Sequence, residues 1–310
     1  MTGPFTPRTL PAFIKPMLAS RGTPFDDESC LFEIKWNGIR MLAFVETPGY
    51  RLVNRHAVDT TSRYPEFAVL AELPSGTVLN GEMVVFRDGQ PDLALLQGRD
   101  KTRSALKTRT GSQMQPATFV AFDLLYEKFV PLLNRPLQER RERLERLLQS
   151  CSHPRLVLSQ GIVGQGRMLF AETCRQNLEG IMAKRLASPY RAGKRGADWI
   201  KIKRRLEMLC VIIGFTPRGT RDFANLILAG EDQGTLRVVG KVKNGFSAEE
   251  RFRLNAWLCA HEQERPVVPC RWAGRWVQPE LFCYVRSREK LIWSNWYCMV
   301  WPIMHHQVHG

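Results

Sequence analysis

The chain has no continuous apolar run of the roughly 18 residues that a membrane-spanning helix needs. The segment between Met1 and Pro16 also lacks the apolar stretch of a secretion signal. These two absences exclude the common membrane and secreted classes. We therefore expect a soluble, cytoplasmic protein with no membrane partner.

Closely spaced cysteines are also missing, since no two of the eight form a CxxC pair. This spacing argues against a zinc ribbon, and a disulfide framework is unusual in a cytosolic chain. We expect free and mostly buried thiols. Three histidines near the C-terminus (His305, His306 and His309) are interpreted as a frayed tail, with a metal site as the alternative.

Acidic residues are scarce relative to basic ones, with 30 Asp and Glu against 45 Lys and Arg, a net charge of +15. Such an excess indicates a polyanionic partner, although a merely basic protein is the alternative. Residues 99–110 are basic and poor in large apolar side chains. We predict a surface loop there, which either contacts phosphates or is simply solvated.

Short apolar runs with period-two alternation dominate the chain and predict a β-rich protein. Apolar stripes at helical spacing predict helices over residues 137–149, 166–177 and 248–259. The predicted strands cover residues 31–36, 41–45, 78–86, 118–126, 199–203 and 209–215. A boundary near residues 204–207 divides the chain into domains 1–205 and 206–310. The second domain shows further strands at 225–229, 236–243, near Val267 and at 281–285, which suggests an OB-type barrel.

The segment of residues 32–40 is the first candidate for chemistry. As a strand, it directs Phe32, Ile34 and Trp36 to one face and Glu33 and Lys35 to the other. A lysine held between core residues becomes a nucleophile when desolvation or nearby cations lower its pKa. Gly38 would let the chain turn close to a ligand. Taken alone, however, a single lysine on a strand is most often a surface residue.

A second strand, residues 199–203, places Lys201 and Lys203 on one face about 7 Å apart, twice the strand rise. Two ammonium groups aimed at one point form an anion site, unless this is an exposed amphipathic strand. Glu179 opens a nearby strand beside Gly180. A carboxylate in such a place suits Mg²⁺, which prefers one or two carboxylates plus phosphate oxygens.

Two further strands carry polar or aromatic residues among core positions. Asn80 and Glu82 share one face of residues 79–86, and Phe122 lies within residues 119–126, where a ring usually packs in the core.

In this order and spacing, the motifs resemble those of the covalent nucleotidyltransferases, which comprise ATP-dependent ligases and mRNA capping enzymes. The stretch of residues 179–203 is most similar to bacterial ATP-dependent DNA ligases of end-joining proteins. Residues 214–217, 239–242 and 276–281 resemble the OB domain of that group. The resemblance covers about residues 15–288. It implies an α+β nucleotidyltransferase domain, with ATP-grasp-like antiparallel sheets and helices, followed by an OB-fold β-barrel.

The resemblance also implies a reaction and a set of roles. Lys35 would attack the α-phosphate of ATP and keep AMP, which then passes to the 5′-phosphate of a nick before the 3′-hydroxyl displaces it. Glu33 would lie near the adenine and Phe122 would stack on it. The remaining implied roles are as follows: the ribose side for Arg40 and Glu82, phosphate contacts for Arg55, Arg195, Lys201 and Lys203, and Mg²⁺ (or Mn²⁺) binding for Glu179 and Glu82.

The sequence departs from the family pattern at several positions. Asn37 and Asn80 replace acids, and His56-Ala57 replaces Asn-Gly. A basic motif expected after Arg288 is missing, since no Arg or Lys follows Lys290. Because that motif engages the departing pyrophosphate, we expect slow self-adenylylation and comparatively good sealing of a nick that already carries AMP.

We therefore predict a DNA ligase that acts as a monomer on nicked duplex DNA in the bacterial nucleoid, with end-joining or repair proteins as partners. Because the chain starts almost directly at the catalytic domain, we expect no upstream DNA-binding domain and no fused polymerase or nuclease. One alternative is an RNA ligase or capping guanylyltransferase. The other is a degenerate protein that binds nicks without catalysis, which Asn37, Asn80 and the missing motif would explain.

Overall fold

A computed structural model describes residues 9–151, 153–204, 206–220, 222–232, 234–287 and 300–302. The chain divides into two compact units, residues 1–204 and 205–310. Within the described ranges, no helix combines the length and the apolar composition that crossing a membrane requires.

The first unit is built from strands and four α-helices. The strands are β1 Leu18–Arg21, β2 Asp27–Ile34, β3 Ile39–Val45, β4 Tyr50–Asn54, β5 Thr77–Arg87, β6 Gln90–Pro91, β7 Ala117–Glu127, β8 Val130–Pro131, β9 Leu156–Leu158, β10 Gly161–Gly164, β11 Gly180–Arg185 and β12 Arg195–Lys203. The helices are α1 Leu93–Lys101, α2 Ala105–Met114, α3 Leu137–Gln149 and α4 Gly166–Arg175, with 3₁₀ turns at Thr61–Arg63 and Pro65–Glu72.

These strands form two sheets. The first has the order β1-β12-β11-β2-β10, and the second has the order β4-β3-β5-β7-β8 with β6 and β9 attached. Most neighbours are antiparallel, while β1 pairs with β12 and β9 pairs with β7 in parallel. The mixed arrangement agrees with the predicted α+β class.

Three apolar clusters stabilise the unit. One packs α3 and the 3₁₀ turns against the second sheet, and another packs α4 against the first sheet around Phe32. The third takes Phe122 from the second sheet and Trp199 from the first, so it lies between the two sheets. This inner layer supports the candidate site.

In its described residues, the second unit contains one sheet and one helix. Its strands are β13 Leu206–Pro217, β14 Phe223–Asp232, β15 Thr235–Val242, β16 Glu262–Gln263, β17 Arg275–Val277, β18 Phe282–Ser287 and β19 Val300–Pro302, and its helix is α5 Ala248–Ala260. The sheet order is β15-β14-β13-β17-β16, with β18 on β13 and β19 on β18. Ser247 and Glu250 form a capping box that begins α5, because each side chain accepts from the other's backbone N–H.

Three expectations from the sequence are wrong. Residues 99–110 are not a loop, since α1 and α2 cover most of them and the buried Arg99 pairs with Glu66. No strand forms at Val267 in the described part of the second unit; β16 and β17 lie on either side. The cysteines are not mostly buried, because Cys259 is exposed and others are only partly covered.

Some expectations lie outside the described residues. These concern the C-terminal histidines, Cys298 and the aromatic segment of residues 291–299 that replaces the basic terminal motif. The slow self-adenylylation inferred from that segment stays a prediction.

Candidate active site

Lys35 lies one residue beyond the end of β2, beside β11. Its backbone N–H donates to the carbonyl of Gly180 over 2.8 Å. Gly180 pairs in turn with Lys203 on β12. The backbones of the two lysines therefore lie on either side of Gly180, which has no side chain. They are two strand spacings apart, or about 9.6 Å across the strands.

Glu179 fills the space between these two lysines. Its Oε2 lies 2.5 Å from Lys35 Nζ, and its Oε1 forms an ion pair with Lys203 Nζ. The Glu179 side chain is 13% exposed and that of Lys35 is 20% exposed, so the pair is shielded but open to a ligand. The structure thus brings together three residues that the sequence marked in separate motifs.

Two glycines make this arrangement possible. Gly180 has a φ of +134°, and a Cβ there would lie 2.1 Å from the carbonyl oxygen of Ile202. A Cβ on Gly38 would lie 2.1 Å from the carbonyl oxygen of Met83. Gly38 therefore allows a close approach to β5, whereas the sequence suggested a close approach to a ligand.

Lys201 and Arg195 extend the positive charge along β12. Burial lowers the pKa of Lys201, and Arg195, Lys203 and Lys35 lower it further through their like charges. Arg195 is exposed and its guanidinium donates to the carbonyl of Ala19. A row of cations that repel one another is a suitable place for a polyphosphate.

A buried cluster of aromatic rings and cations, called the Phe122 cluster below, lies next to this row. Phe122 and Trp199 meet edge to face at 6.2 Å. Arg40 lies 4.3 Å and Lys184 4.2 Å from the centroid of the Phe122 ring. Because two cations already lie over this ring, the stacking of adenine on Phe122 stays a prediction.

Glu33 is buried in the Phe122 cluster between two cations. It forms an ion pair with Lys184 Nζ, and its Oε1 lies 3.0 Å from Arg141 Nη1 without hydrogen-bond alignment. Burial lowers the pKa of Lys184 to about 8, and the Glu33 charge opposes this shift. The buried anion is therefore held by neighbours from β11 and α3.

Arg40 joins a network that uses one of the departures from the family pattern. Its Nε donates to Asn80 Oδ1 over 2.7 Å, and Asn80 Nδ2 donates to the hydroxyl of Tyr190 over 3.3 Å. An aspartate at position 80 would accept from Arg40 but would have no N–H for Tyr190. Asn80 therefore fits this site as both acceptor and donor.

Glu82 pairs across the sheet with Arg40. Burial raises the pKa of Glu82 to about 7, against the opposing charges of Arg40, Lys35 and Arg55, and Glu179 raises it further. Arg55 itself is exposed after β4, close enough to act on Glu82 only through its charge.

The raised pKa of Glu82 predicts a pH-dependent loss of stability. Between pH 4.5 and about 7 the unfolded chain releases the Glu82 proton while the folded chain keeps it, so the stability contributed by this group falls as pH rises through that window. Glu82→Gln should remove this pH-dependent loss. The gain in the free energy of unfolding over the wild type should be absent near pH 4.5 and should reach at most about 3 kcal/mol above pH 7. Urea unfolding of both proteins from pH 4.5 to 8 measures this difference, and a difference independent of pH would contradict it.

Several residues of the site were not predicted from the sequence. Lys184 and Arg141 surround Glu33, and Asp123 forms a fully buried ion pair with Arg140 through Nε at 2.8 Å and Nη2 at 2.9 Å. Arg140 lies on the apolar stripe of α3 with Leu137 and Leu144. A cation on an otherwise apolar stripe was the available signal, since such a charge is rarely buried without a partner.

Comparison with known families places this geometry in context. Residues 16–203 match the model of the ATP dependent DNA ligase domain, and residues 219–291 match that of the ATP dependent DNA ligase C terminal region. The chain thus has a nucleotidyltransferase domain followed by an OB-fold domain. It belongs to the ATP-dependent DNA ligase family.

Individual relatives agree with this assignment. The multifunctional non-homologous end joining protein LigD of Pseudomonas aeruginosa is 34% identical over 290 residues, 89% of this chain and 33% of the relative. The ligase domain of LigD from M. tuberculosis is 30% identical with a TM-score of 0.56, over 92% of this chain and 90% of that domain. A mycobacterial DNA ligase D complexed with ATP and MES is 30% identical with a TM-score of 0.57, over 93% and 95%. The chain therefore spans about a third of the Pseudomonas protein but nearly all of these ligase domains.

Proposed function

We propose that this chain seals 3′-hydroxyl/5′-phosphate nicks in duplex DNA with ATP. Lys35 Nζ loses its proton and attacks the α-phosphorus, so that a P–N bond forms as the bond to pyrophosphate breaks. The 5′-phosphate of the nick then attacks this AMP and frees the lysine. Finally, the 3′-hydroxyl attacks the activated phosphate, a phosphodiester forms, and AMP leaves.

The contact of Lys35 with Glu179, which also pairs with Lys203, carries this proposal. All three steps are substitutions at phosphorus, so the protein must align the groups and neutralise charge. Glu179 holds the nucleophile in place, while Lys203, Lys201 and Arg195 are assigned to the phosphates. Arg55 is assigned to phosphate as well, from the opposite sheet.

The polar groups of the Phe122 cluster suit the nucleoside. Buried side-chain atoms without a hydrogen-bond partner are rare in folded proteins. Three buried atoms without a hydrogen-bond partner belong to the Phe122 cluster in the described residues: Glu33 Oε1, Arg40 Nη2 and Trp199 Nε1. Arg40 and Trp199 supply two donors. Glu33 Oε1, whose contact with Arg141 is an ion pair without hydrogen-bond alignment, supplies an acceptor. We assign Glu33 and Phe122 to the adenine and Arg40 and Glu82 to the ribose side.

Mg²⁺, or Mn²⁺ in its place, is the metal that the donors would suit. The charge of Glu179 raises the pKa of Glu82, and this interaction supports assigning the two carboxylates to the metal. No group of three or more His, Cys, Asp or Glu side chains in the described ranges is arranged to hold a metal ion. Two carboxylates completed by phosphate oxygens fit Mg²⁺, which would neutralise charge on the phosphates.

Nicked duplex DNA is the proposed partner, bound by a monomer. Residues 101–122 contain no Asp or Glu. Lys101, Arg103 and Lys107 are exposed there, on and beside α2, without an acidic partner in the described ranges. This unpaired positive surface is complementary to the phosphates of a duplex.

The surface predicts a salt-dependent change in DNA affinity. Each phosphate neutralised contributes about −0.9 to the slope of log affinity against log salt. Changing Lys101, Arg103 and Lys107 together to Ala should therefore flatten the slope by up to about 3, as measured by anisotropy titrations of a nicked duplex.

A matched control removes the same charge elsewhere. Arg146, Arg167 and Arg175 are exposed on α3 and α4, and the last two already pair with Asp26 and Glu172. Changing these three to Ala should leave the slope nearly unchanged. Equal slopes for both triple variants would mean that α2 is merely solvated.

A sealing assay tests the proposed function directly. The purified chain should join a nicked DNA duplex with ATP and fail on a nick without a 5′-phosphate. Preferential joining of an RNA nick would favour the RNA-ligase alternative, and binding without joining would favour the non-catalytic one. We further propose that the partner proteins are those of end joining or repair, as the name of the LigD relatives suggests, and that the chain acts in the bacterial cytoplasm at the nucleoid.

A further inference from the structure

Arg141 is a cation of α3 that no step above uses, although it is mostly buried within the site. Its side chain is 13% exposed. Its neighbour Arg140 has a separate, structural role, because it pairs with Asp123 and donates to the carbonyls of Arg135 and Ser188. Arg141 contacts different partners, and two of them, Glu33 and Ser159, connect it to the segment that carries Lys35.

The first contact holds the segment before Lys35. Arg141 Nη1 lies 3.0 Å from Glu33 Oε1, two residues ahead of the nucleophile. The same nitrogen donates to the carbonyl of Phe122 over 3.4 Å. One guanidinium therefore links β2 of the first sheet with β7 of the second.

The second contact reaches the residue after Lys35 through Ser159. Arg141 Nη2 donates to the Ser159 carbonyl over 2.6 Å, and Trp36 Nε1 donates to the Ser159 hydroxyl over 3.2 Å. Ser159 is 1% exposed and its own N–H donates to Ala121 over 2.8 Å, so it is a fixed support.

We propose that Arg141 is a positioning residue for Lys35, because it holds both flanks of the nucleophile through Glu33 and through Ser159 with Trp36. The proposal rests on the proposed function. A planar guanidinium can serve the carboxylate and the carbonyl at once, whereas a lysine ammonium is a point charge and a methionine supplies no donor. Reactions that depend on alignment lose up to about 100-fold in rate when the reacting group shifts by about 1 Å.

The test compares Arg141→Met and Arg141→Lys with a control on the same helix. Arg143→Met removes an equal charge, but Arg143 pairs with Glu127 and Glu139 away from Lys35. In single-turnover reactions at saturating ATP, Arg141→Met should form lysine–AMP about 10- to 100-fold more slowly, Arg141→Lys should be intermediate, and Arg143→Met should be near wild type. Sealing of a nick that already carries AMP should fall less, because Lys35 is not the nucleophile in that step.

Two further readouts separate positioning from general damage. Hydrogen exchange of residues 33–38 in the ligand-free protein should accelerate in Arg141→Met and not in Arg143→Met. Trp36→Phe keeps an aromatic ring but removes the indole N–H together with the five-membered ring. Combining it with Arg141→Met should cost less than the two separate effects together, because both changes break one support.

Unchanged exchange over residues 33–38 in Arg141→Met would overturn the proposal, as would equal losses of lysine–AMP formation and of sealing. A wild-type protein that forms no lysine–AMP would instead contradict the proposed function. The exchange comparison would still decide the role of Arg141 in that case.

Discussion

Lys35→Ala is expected to abolish covalent attachment of AMP to the chain while leaving it able to seal a nick that already carries AMP. Lys35 is the lysine that contacts Glu179 at the end of β2, and no other lysine occupies an equivalent place in the described ranges. Lys35→Arg should fail as well, because a guanidinium stays protonated and cannot attack phosphorus. Gel detection of labelled protein and sealing of a synthetic adenylylated nick measure the two activities.

Lys243→Ala is the control for this experiment, since Lys243 is an exposed lysine of the second unit. It should load AMP like the wild type. Peptide mapping of the labelled wild type should place AMP on Lys35. A label on another lysine, or Lys35→Ala that still seals an ordinary nick, would show that the nucleophile is assigned wrongly.

Asp123→Ala is expected to give the largest loss of stability. Asp123 and Arg140 are both fully buried, so the change leaves a buried guanidinium without its anion. Removing one partner of such a pair typically costs about 3–5 kcal/mol. For a unit of this size that corresponds to a melting temperature lower by roughly 6–20 °C. Calorimetry and urea unfolding measure both quantities.

The partly exposed pair of Glu139 and Arg143 on the same helix provides the comparison. Glu139→Ala should cost no more than about 0.5 kcal/mol, because solvent reaches this partly exposed pair and screens it. Asp123→Ala and Arg140→Met combined should cost less than the two single changes together, since neither partner is then left charged and alone. A similar small cost for Asp123→Ala and Glu139→Ala would contradict the importance assigned to the buried pair.

The sequence predicted the elements around the site better than the contacts within it. Alternating apolar residues located β5, β7 and the end of β12, and the stripe of α3 was equally clear. Local patterns of this kind depend only on neighbouring residues. The contact between Lys35 and Glu179 depends on the register of β2 with β11, which joins residues 144 positions apart.

The helices α1 and α2 show why other elements could not be predicted from local sequence patterns. Their segment has few apolar residues, which led to the prediction of a loop. Instead, a buried Arg99 fixes it, with Nη1 2.5 Å from Glu66 Oε1 and a second bond to the carbonyl of Gln115. A polar anchor of this kind leaves no apolar stripe, because its partner lies 33 residues away in the chain. Arg141 and Lys184 were missed for the same reason.

The central claim, that this chain is an enzyme that traps AMP on a lysine, is tested most directly with α-labelled ATP. The purified protein is incubated with labelled ATP and Mg²⁺, denatured, and separated on a gel, and unlabelled nicked DNA is added to a second sample before denaturation. A labelled protein band is expected that unlabelled GTP does not compete away and that disappears when nicked DNA is added. A protein that stays unlabelled while it still binds nicked DNA would contradict the assignment of Lys35 and would indicate a nick-binding protein without catalysis.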